Sequence, residues 1–105
     1  MGARERGKVQ PVDGVFNPNG AHVSAPSISA ATDLMANAPA DARSVLMQAL
    51  AQNVRYTLDG TNPTATRGFQ LRAGDPAIII PICPQTQLKV IEELAGSSLQ
   101  YQWGY

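Results

Sequence analysis

The clearest pattern in the chain is an alternation of apolar and polar side chains that begins at residue 54. Val54, Tyr56 and Leu58 alternate with Arg55 and Thr57, which is the period of a half-buried β-strand. Turn sequences recur about every ten residues after it, as in a small sandwich or barrel. The pattern predicts an all-β domain, with further strands around residues 69–71, 78–80, 88–91 and 99–103.

The isoleucine run at 78–80 is bounded by Pro76 and Pro81. Proline has no backbone N–H to donate to a strand ladder, so it is confined to sheet edges and strand ends. We therefore expect this short strand to lie near the edge of its sheet.

Residues 44–53 fit two interpretations. Propensity favours a helix, because Ala, Leu, Met and Gln are good helix formers and Asp41 could cap it. Strand alternation fits equally well. The helical spacing is given by Ala42, Val45, Leu46, Ala49 and Leu50, and the strand alternation by Val45, Met47, Ala49 and Ala51.

The first 26 residues are rich in glycine and proline and show no period of 2 or 3.6. We interpret residues 1–26 as an extended N-terminal arm, with Phe16 and Val23 as the apolar anchors that bind a partner. Residues 27–105 form the β-domain, which starts with small residues and a short strand around 28–34.

The most distinctive stretch is "VRYTLDGTNPTAT", residues 54–66. Asp59 can accept backbone hydrogen bonds, Gly60 tolerates positive φ, and Pro63 holds the preceding residue extended. We interpret these three residues as a structural corner. A calcium site is the more specific alternative, but this stretch offers only one carboxylate and lacks the ligand spacing of an EF-hand. A ligand-contacting tip is the third.

This stretch resembles the corner of the immunoglobulin-like domain at the C-terminal end of chitobiases and related hexosaminidases. It is more closely similar to short proteins encoded among the structural genes of tailed bacteriophages. The resemblance covers about residues 39–105, while the N-terminal arm has no counterpart and "PICPQ" at 81–85 is unusual. The matching pieces are "PADA" at 39–42, "VRYTLDGTNPTA" at 54–65, Gly68, "LRAG" at 71–74, "KVIE" at 89–92 and "LQYQWGY" at 99–105.

The resemblance implies a strand at 44–50, against the propensity, and a small immunoglobulin-like β-sandwich behind the arm. It also implies a non-catalytic structural protein of the virion, made in the host bacterial cytoplasm. We expect capsid decoration or cement, bound to the major capsid protein through the arm and the sandwich. A head–tail connector or tail component is the alternative within that class. A carbohydrate-binding or host-attachment module is the alternative outside it.

Composition narrows the classes of partner that the chain could bind. The chain has 105 residues, enough for one small domain, and eight basic against eight acidic side chains. This balance argues against direct nucleic-acid binding and against a basic membrane anchor. A domain this small without disulfide or metal is marginal alone, so we expect a homo-oligomer, such as a trimer, or docking on other virion subunits.

Candidate catalytic groups are few. His22, the one histidine, lies in the arm, and Cys83, the one cysteine, lies in an apolar run where we expect a buried thiol. No catalytic, cofactor or metal residues are predicted. Tyr101, Trp103 and Tyr105 alternate at strand spacing and are interpreted as core or subunit-interface aromatics, with stacking on a sugar as the alternative.

Overall fold

The protein is built from two antiparallel β-sheets that share one core. A computed structural model describes residues 16–105. A 3₁₀ helix, Leu34–Asn37, follows the second strand, and no helix among the described residues is long and apolar enough to cross a membrane. The strands are β1 (Val23–Pro26), β2 (Thr32–Asp33), β3 (Ser44–Leu50), β4 (Val54–Thr57), β5 (Phe69–Leu71), β6 (Ile78–Pro81), β7 (Lys89–Glu92) and β8 (Ser98–Gly104).

Each sheet has four strands. Sheet 1 has the order β1-β8-β3-β6, and sheet 2 has the order β2-β7-β4-β5. The chain crosses from one sheet to the other at every connection between strands except the one from β4 to β5. The all-β prediction is confirmed. In an immunoglobulin domain the last two strands are neighbours in one sheet, whereas β7 and β8 lie in different sheets here.

The core lies between the sheets and follows the alternation along the strands. Every second residue of β3 and β8 is buried, and the side chains opposite them come from sheet 2. Burying such a side chain contributes about 1.5–3 kcal/mol. The main contributors are Val45, Met47 and Ala49 from β3, Leu99, Tyr101 and Trp103 from β8, and Val54, Leu71, Leu88 and Val90 from sheet 2 and its flanks.

The strand prediction for residues 44–50 is confirmed. β3 pairs with β8 along its whole length and with β6 on its other side. These two ladders satisfy the backbone and bury one face, which outweighs the helix propensity of Ala, Leu and Gln. Ala51 then adopts φ 70°, and the chain turns into sheet 2.

The strand predicted around residues 28–34 is only two residues long. Apolar and polar side chains do not alternate regularly in this segment. Asp33 accepts a hydrogen bond from the backbone N–H of Met35 at 2.9 Å. This side chain acts as the N-cap of the 3₁₀ helix, because aspartate favours helix starts over strand interiors. The edge position predicted for the isoleucine run is confirmed, since β6 is the outer strand of sheet 1.

The predicted arm is described only from residue 16, and residues 1–15 lie outside the described range. Residues 23–26 form β1 and pair with β8, so the sheet begins before the predicted boundary at residue 26. Earlier residues continue along the same strand: Asn19 N donates to Trp103 O at 2.8 Å, and Tyr105 N donates to Asn17 O at 3.0 Å.

Candidate functional site

The two sheets differ sharply in charge. None of the residues in the four strands of sheet 1 is Asp, Glu, Lys, Arg or His. The strands of sheet 2 carry Asp33, Arg55, Lys89 and Glu92. Solvent-facing sheet surfaces ordinarily carry charged side chains, whereas the centres of protein interfaces are depleted of them.

The outer face of sheet 1 combines apolar and amide side chains. Leu46 of β3 lies opposite Ile79 of β6 on one side and opposite Gln102 of β8 on the other. Gln48 lies opposite Gln100 in the same way. Leu46 and Ile79 therefore form an apolar cross-strand pair beside a row of amides.

Hydrogen bonds hold these amides along the sheet. Nε2 of Gln100 donates to Ser24 Oγ at 2.7 Å, and Nε2 of Gln102 donates to the Gly20 carbonyl at 3.0 Å. Nε2 of His22 lies 2.6 Å from Oε1 of Gln100. The face is thereby fixed before any partner arrives, which lowers the entropy lost on binding. We define Leu46, Gln48, Ile79, Gln100 and Gln102 as the sheet-1 face.

The predicted corner is a compact turn fastened to the segment before β7. Asp59 Oδ1 accepts a hydrogen bond from Thr61 N at 3.0 Å, and this bond lowers the pKa of the Asp59 carboxyl. Gly60 has φ +89°, and a Cβ there would collide with the side chain of Gln87. Pro63 is fully buried beneath the turn.

A second set of hydrogen bonds closes the loop between β4 and β5. Thr64 N donates to Arg67 O at 3.1 Å, and Arg67 N donates to Thr64 O at 3.2 Å. Nζ of Lys89 donates to Asn62 Oδ1 at 3.0 Å. The loop is therefore tied to itself and to β7.

An open pocket of about 330 Å³ lies beside the corner. Phe69, one of the residues that line this pocket, is 62% exposed, and the centroid of its ring lies 5.5 Å from that of Tyr56. Phe69 and Leu71 are two residues apart on β5, yet only Leu71 is buried. The lining residues are Thr57, Leu58, Asp59, Thr61, Arg67 and Phe69.

Glu93 is the centre of a polar network on sheet 2. Its carboxylate accepts hydrogen bonds from Gln70 Nε2 at 2.7 Å, Arg55 Nε at 2.6 Å and Asn53 Nδ2 at 3.4 Å. The bond from Gln70, followed by that from Arg55, lowers the pKa of Glu93. The network ties β4 and β5 to the segment after β7, which is a structural role.

The predicted aromatics separate into two environments. Tyr101 and Trp103 are buried in the core, where their rings meet edge to face with centroids 5.9 Å apart. Their faces are not available for stacking on a sugar. Tyr105 is exposed at the end of β8. The structure thus brings no aromatic of β8 to the corner.

The predicted anchors of the arm contact their own chain. Phe16 is half-buried against Gly104. Val23 is half-buried in β1 and packs against the core. Their partner-binding role stays a prediction, and the part of the arm before residue 16 lies outside the described range.

Cys83 is exposed, so the prediction of a buried thiol is wrong. It follows β6 at the sheet edge, where no strand covers it. The hydroxyl of Thr86 lies 3.6 Å from its Sγ and lowers the pKa of the thiol. Residues 16–105 contain no group of three or more His, Cys, Asp or Glu side chains placed to hold a metal ion.

Comparison of the chain with protein-family models, with curated proteins and with solved structures finds no match. The two distinctive surfaces of residues 16–105 are the sheet-1 face and the pocket beside Phe69.

Proposed function

We propose that this chain is a non-catalytic structural subunit of a tailed-phage virion, and within that class a capsid decoration or cement protein. We further propose that the fold is a variant of the immunoglobulin-like sandwich behind an N-terminal arm, one whose last two strands lie in different sheets. The corner motif supports the phage assignment by resemblance. The observation that carries the structural role is the uncharged sheet-1 face.

An uncharged sheet face suits a permanent contact with other subunits. Burying a charged side chain without a partner costs several kcal/mol, and the strands of sheet 1 contribute no Asp, Glu, Lys or Arg side chain to bury. Leu46 and Ile79 supply apolar area, and the amides supply both donors and acceptors. The partner in this proposal is the major capsid protein or another copy of the chain.

The N-terminal segment fits the same role. Residues 16–26 run along β8 and are bonded to it at Asn17, Asn19 and the β1 ladder. We propose that the arm, residues 1–26, also contacts a neighbouring shell subunit, with Phe16 and Val23 as its apolar anchors. One subunit would then bridge two others and add contacts that resist the pressure of the packaged DNA.

Counting the protein in purified virions by quantitative mass spectrometry tests the proposal. Decoration requires a copy number on the scale of the shell's own subunits. A copy number on the scale of one ring assigns the chain to the head–tail connector or the tail instead. Absence from washed virions would overturn a structural role altogether.

A further inference from the structure

The pocket beside Phe69 has features that a structural contact does not explain. Phe69 lies on β5, the outer strand of sheet 2, and its ring is largely exposed. Tyr56 packs against it and fixes its position from one side. An exposed aromatic ring held in this way presents a flat apolar surface to solvent.

Two charged residues, Asp59 and Arg67, line the same pocket as that ring. The carboxylate of Asp59 is ionised at neutral pH and can then only accept hydrogen bonds; the hydrogen bond from Thr61 N lowers its pKa further and holds the carboxylate in place. The guanidinium of Arg67 can only donate. Both lie in the pocket lining together with the hydroxyl-bearing Thr57 and Thr61. The lining therefore offers acceptors and donors around an apolar face.

We propose that this pocket binds a hexopyranose chain with equatorial hydroxyls, as found in neutral polysaccharides. Such a ring exposes apolar C–H faces that stack on an aromatic side chain. Its hydroxyls project around the rim and each both donates and accepts, so one hydroxyl can donate to Asp59 while another accepts from Arg67. The pocket volume of about 330 Å³ is in the range of small-ligand sites.

The lining disfavours the simpler ligands. A phosphate or a nucleic-acid backbone would meet the carboxylate of Asp59 at like charge. A calcium ion needs more oxygen ligands than this one carboxylate and its threonines supply. A sugar satisfies the acceptor, the donor and the ring at once.

The site is built before a ligand arrives. Gly60 N donates to Gln87 O at 3.2 Å, and Gln87 N donates to Leu58 O at 3.1 Å. These bonds hold the side of the pocket that Leu58 and Asp59 line. The reciprocal backbone hydrogen bonds between Thr64 and Arg67 hold the side of the pocket that Arg67 lines. The pocket shares no residue with the sheet-1 face, so a subunit docked through sheet 1 would keep the pocket accessible. Binding does not depend on the proposed virion role.

Titration of the isotope-labelled full chain with cellotetraose, followed by amide NMR shifts, tests the inference. We expect shifts confined to residues 57–61 and 67–69 that saturate with rising sugar. Sorbitol, which has hydroxyls but no pyranose face, should cause none of them. Absence of localised shifts up to the solubility limit of cellotetraose would overturn the proposal.

Three variants separate binding from folding. Phe69→Ala should abolish the saturating shifts, while Leu94→Ala, which truncates another exposed apolar side chain, should leave them unchanged. Asp59→Asn should weaken binding several-fold, because one acceptor becomes a donor. Dispersed amide spectra confirm that each variant is folded. Undiminished binding by folded Phe69→Ala would refute the assigned site.

Discussion

The ring of Phe16 lies against Gly104 so closely that a Cβ atom at position 104 would come within 2.5 Å of its Cε1 atom. The same Cβ atom would lie 2.5 Å from Ser44 Oγ. Glycine at this position therefore lets the N-terminal segment close over the end of β8. Its role is one of space, since its φ is not positive.

Replacing Gly104 with alanine should detach this segment. We expect a loss of about 1–3 kcal/mol in the free energy of unfolding, as for overpacked sites, and faster hydrogen exchange at the amides of Asn19 and Tyr105, which bond across this contact. The double variant Gly104→Ala/Phe16→Ala removes one of the two clashes. Its destabilisation should be less than the sum of the single effects, and strict additivity would show that Phe16 does not contact Gly104.

Gly60 combines positive φ with a close neighbour, and Gly74 offers a matched comparison. Both have φ near +90°, but a Cβ at Gly74 meets nothing within 4 Å. Gly74→Ala should therefore cost only the backbone strain, about 1–3 kcal/mol, and Gly60→Ala should cost more in urea unfolding. Adding Gln87→Ala to Gly60→Ala should return the loss towards that of Gly74→Ala. Equal losses in the free energy of unfolding for Gly60→Ala and Gly74→Ala would mean that the side chain of Gln87 moves aside at no cost.

The strands were largely predictable because their periodicity is local. Alternation located β4, β5, β7 and β8, and the isoleucine run between Pro76 and Pro81 located β6 at a sheet edge. The identity of β3 needed the motif resemblance, since its composition favours a helix. What no local pattern encodes is the pairing of strands distant in sequence, such as β1 with β8.

Whether a strand lies at a sheet edge affects the burial of its residues, and alternation alone does not reveal it. β5 is an outer strand, and Phe69 on it is exposed. The thiol of Cys83 was expected to be buried because it follows an apolar run, but that run forms an edge strand. The absence of charged residues from the four segments of sheet 1 can be seen in the sequence. Only the strand order shows that the segments form one face.

A lysine on the sheet-1 face should weaken assembly without unfolding the subunit. Leu46 is half-buried and lies on the outer face, so Leu46→Lys leaves its charge in water in the free chain. Burying that charge on docking should reduce affinity for virions stripped of the protein by more than about tenfold. The measurement is co-sedimentation with the stripped particles.

Leu94→Lys is the control for this substitution. Leu94 is 65% exposed and lies outside every strand, so the same change of side chain adds the same charge away from sheet 1. Its sedimentation should match that of the unmodified chain. If Leu46→Lys co-sediments equally well, the sheet-1 face is not the contact.

The Glu93 network predicts an acid-sensitive component of stability. Hydrogen bonds from Gln70 and then Arg55 lower the pKa of Glu93 in the folded chain, so its stabilisation is complete above the unfolded pKa. It is lost as the pH falls through the lower folded pKa. The stability advantage of the unmodified chain over Glu93→Gln should therefore shrink between neutral pH and about pH 3.

Urea unfolding at a series of pH values measures this difference. Gln70→Ala keeps the carboxylate but removes the largest cause of its lowered pKa, so it should reduce the acid sensitivity only in part. A difference between Glu93→Gln and the unmodified chain that stays constant with pH would show that the carboxylate does not titrate in this window.

The position of β8 has a consequence for biosynthesis. This strand lies between β1 and β3, yet its residues are translated long after both. Sheet 1 cannot assemble on the ribosome until residues 98–104 have left the exit tunnel, and until then the apolar sides of β1 and β3 have no partner between them. A nascent chain stalled before residue 98 should therefore be a client for chaperones and an easy substrate for proteases.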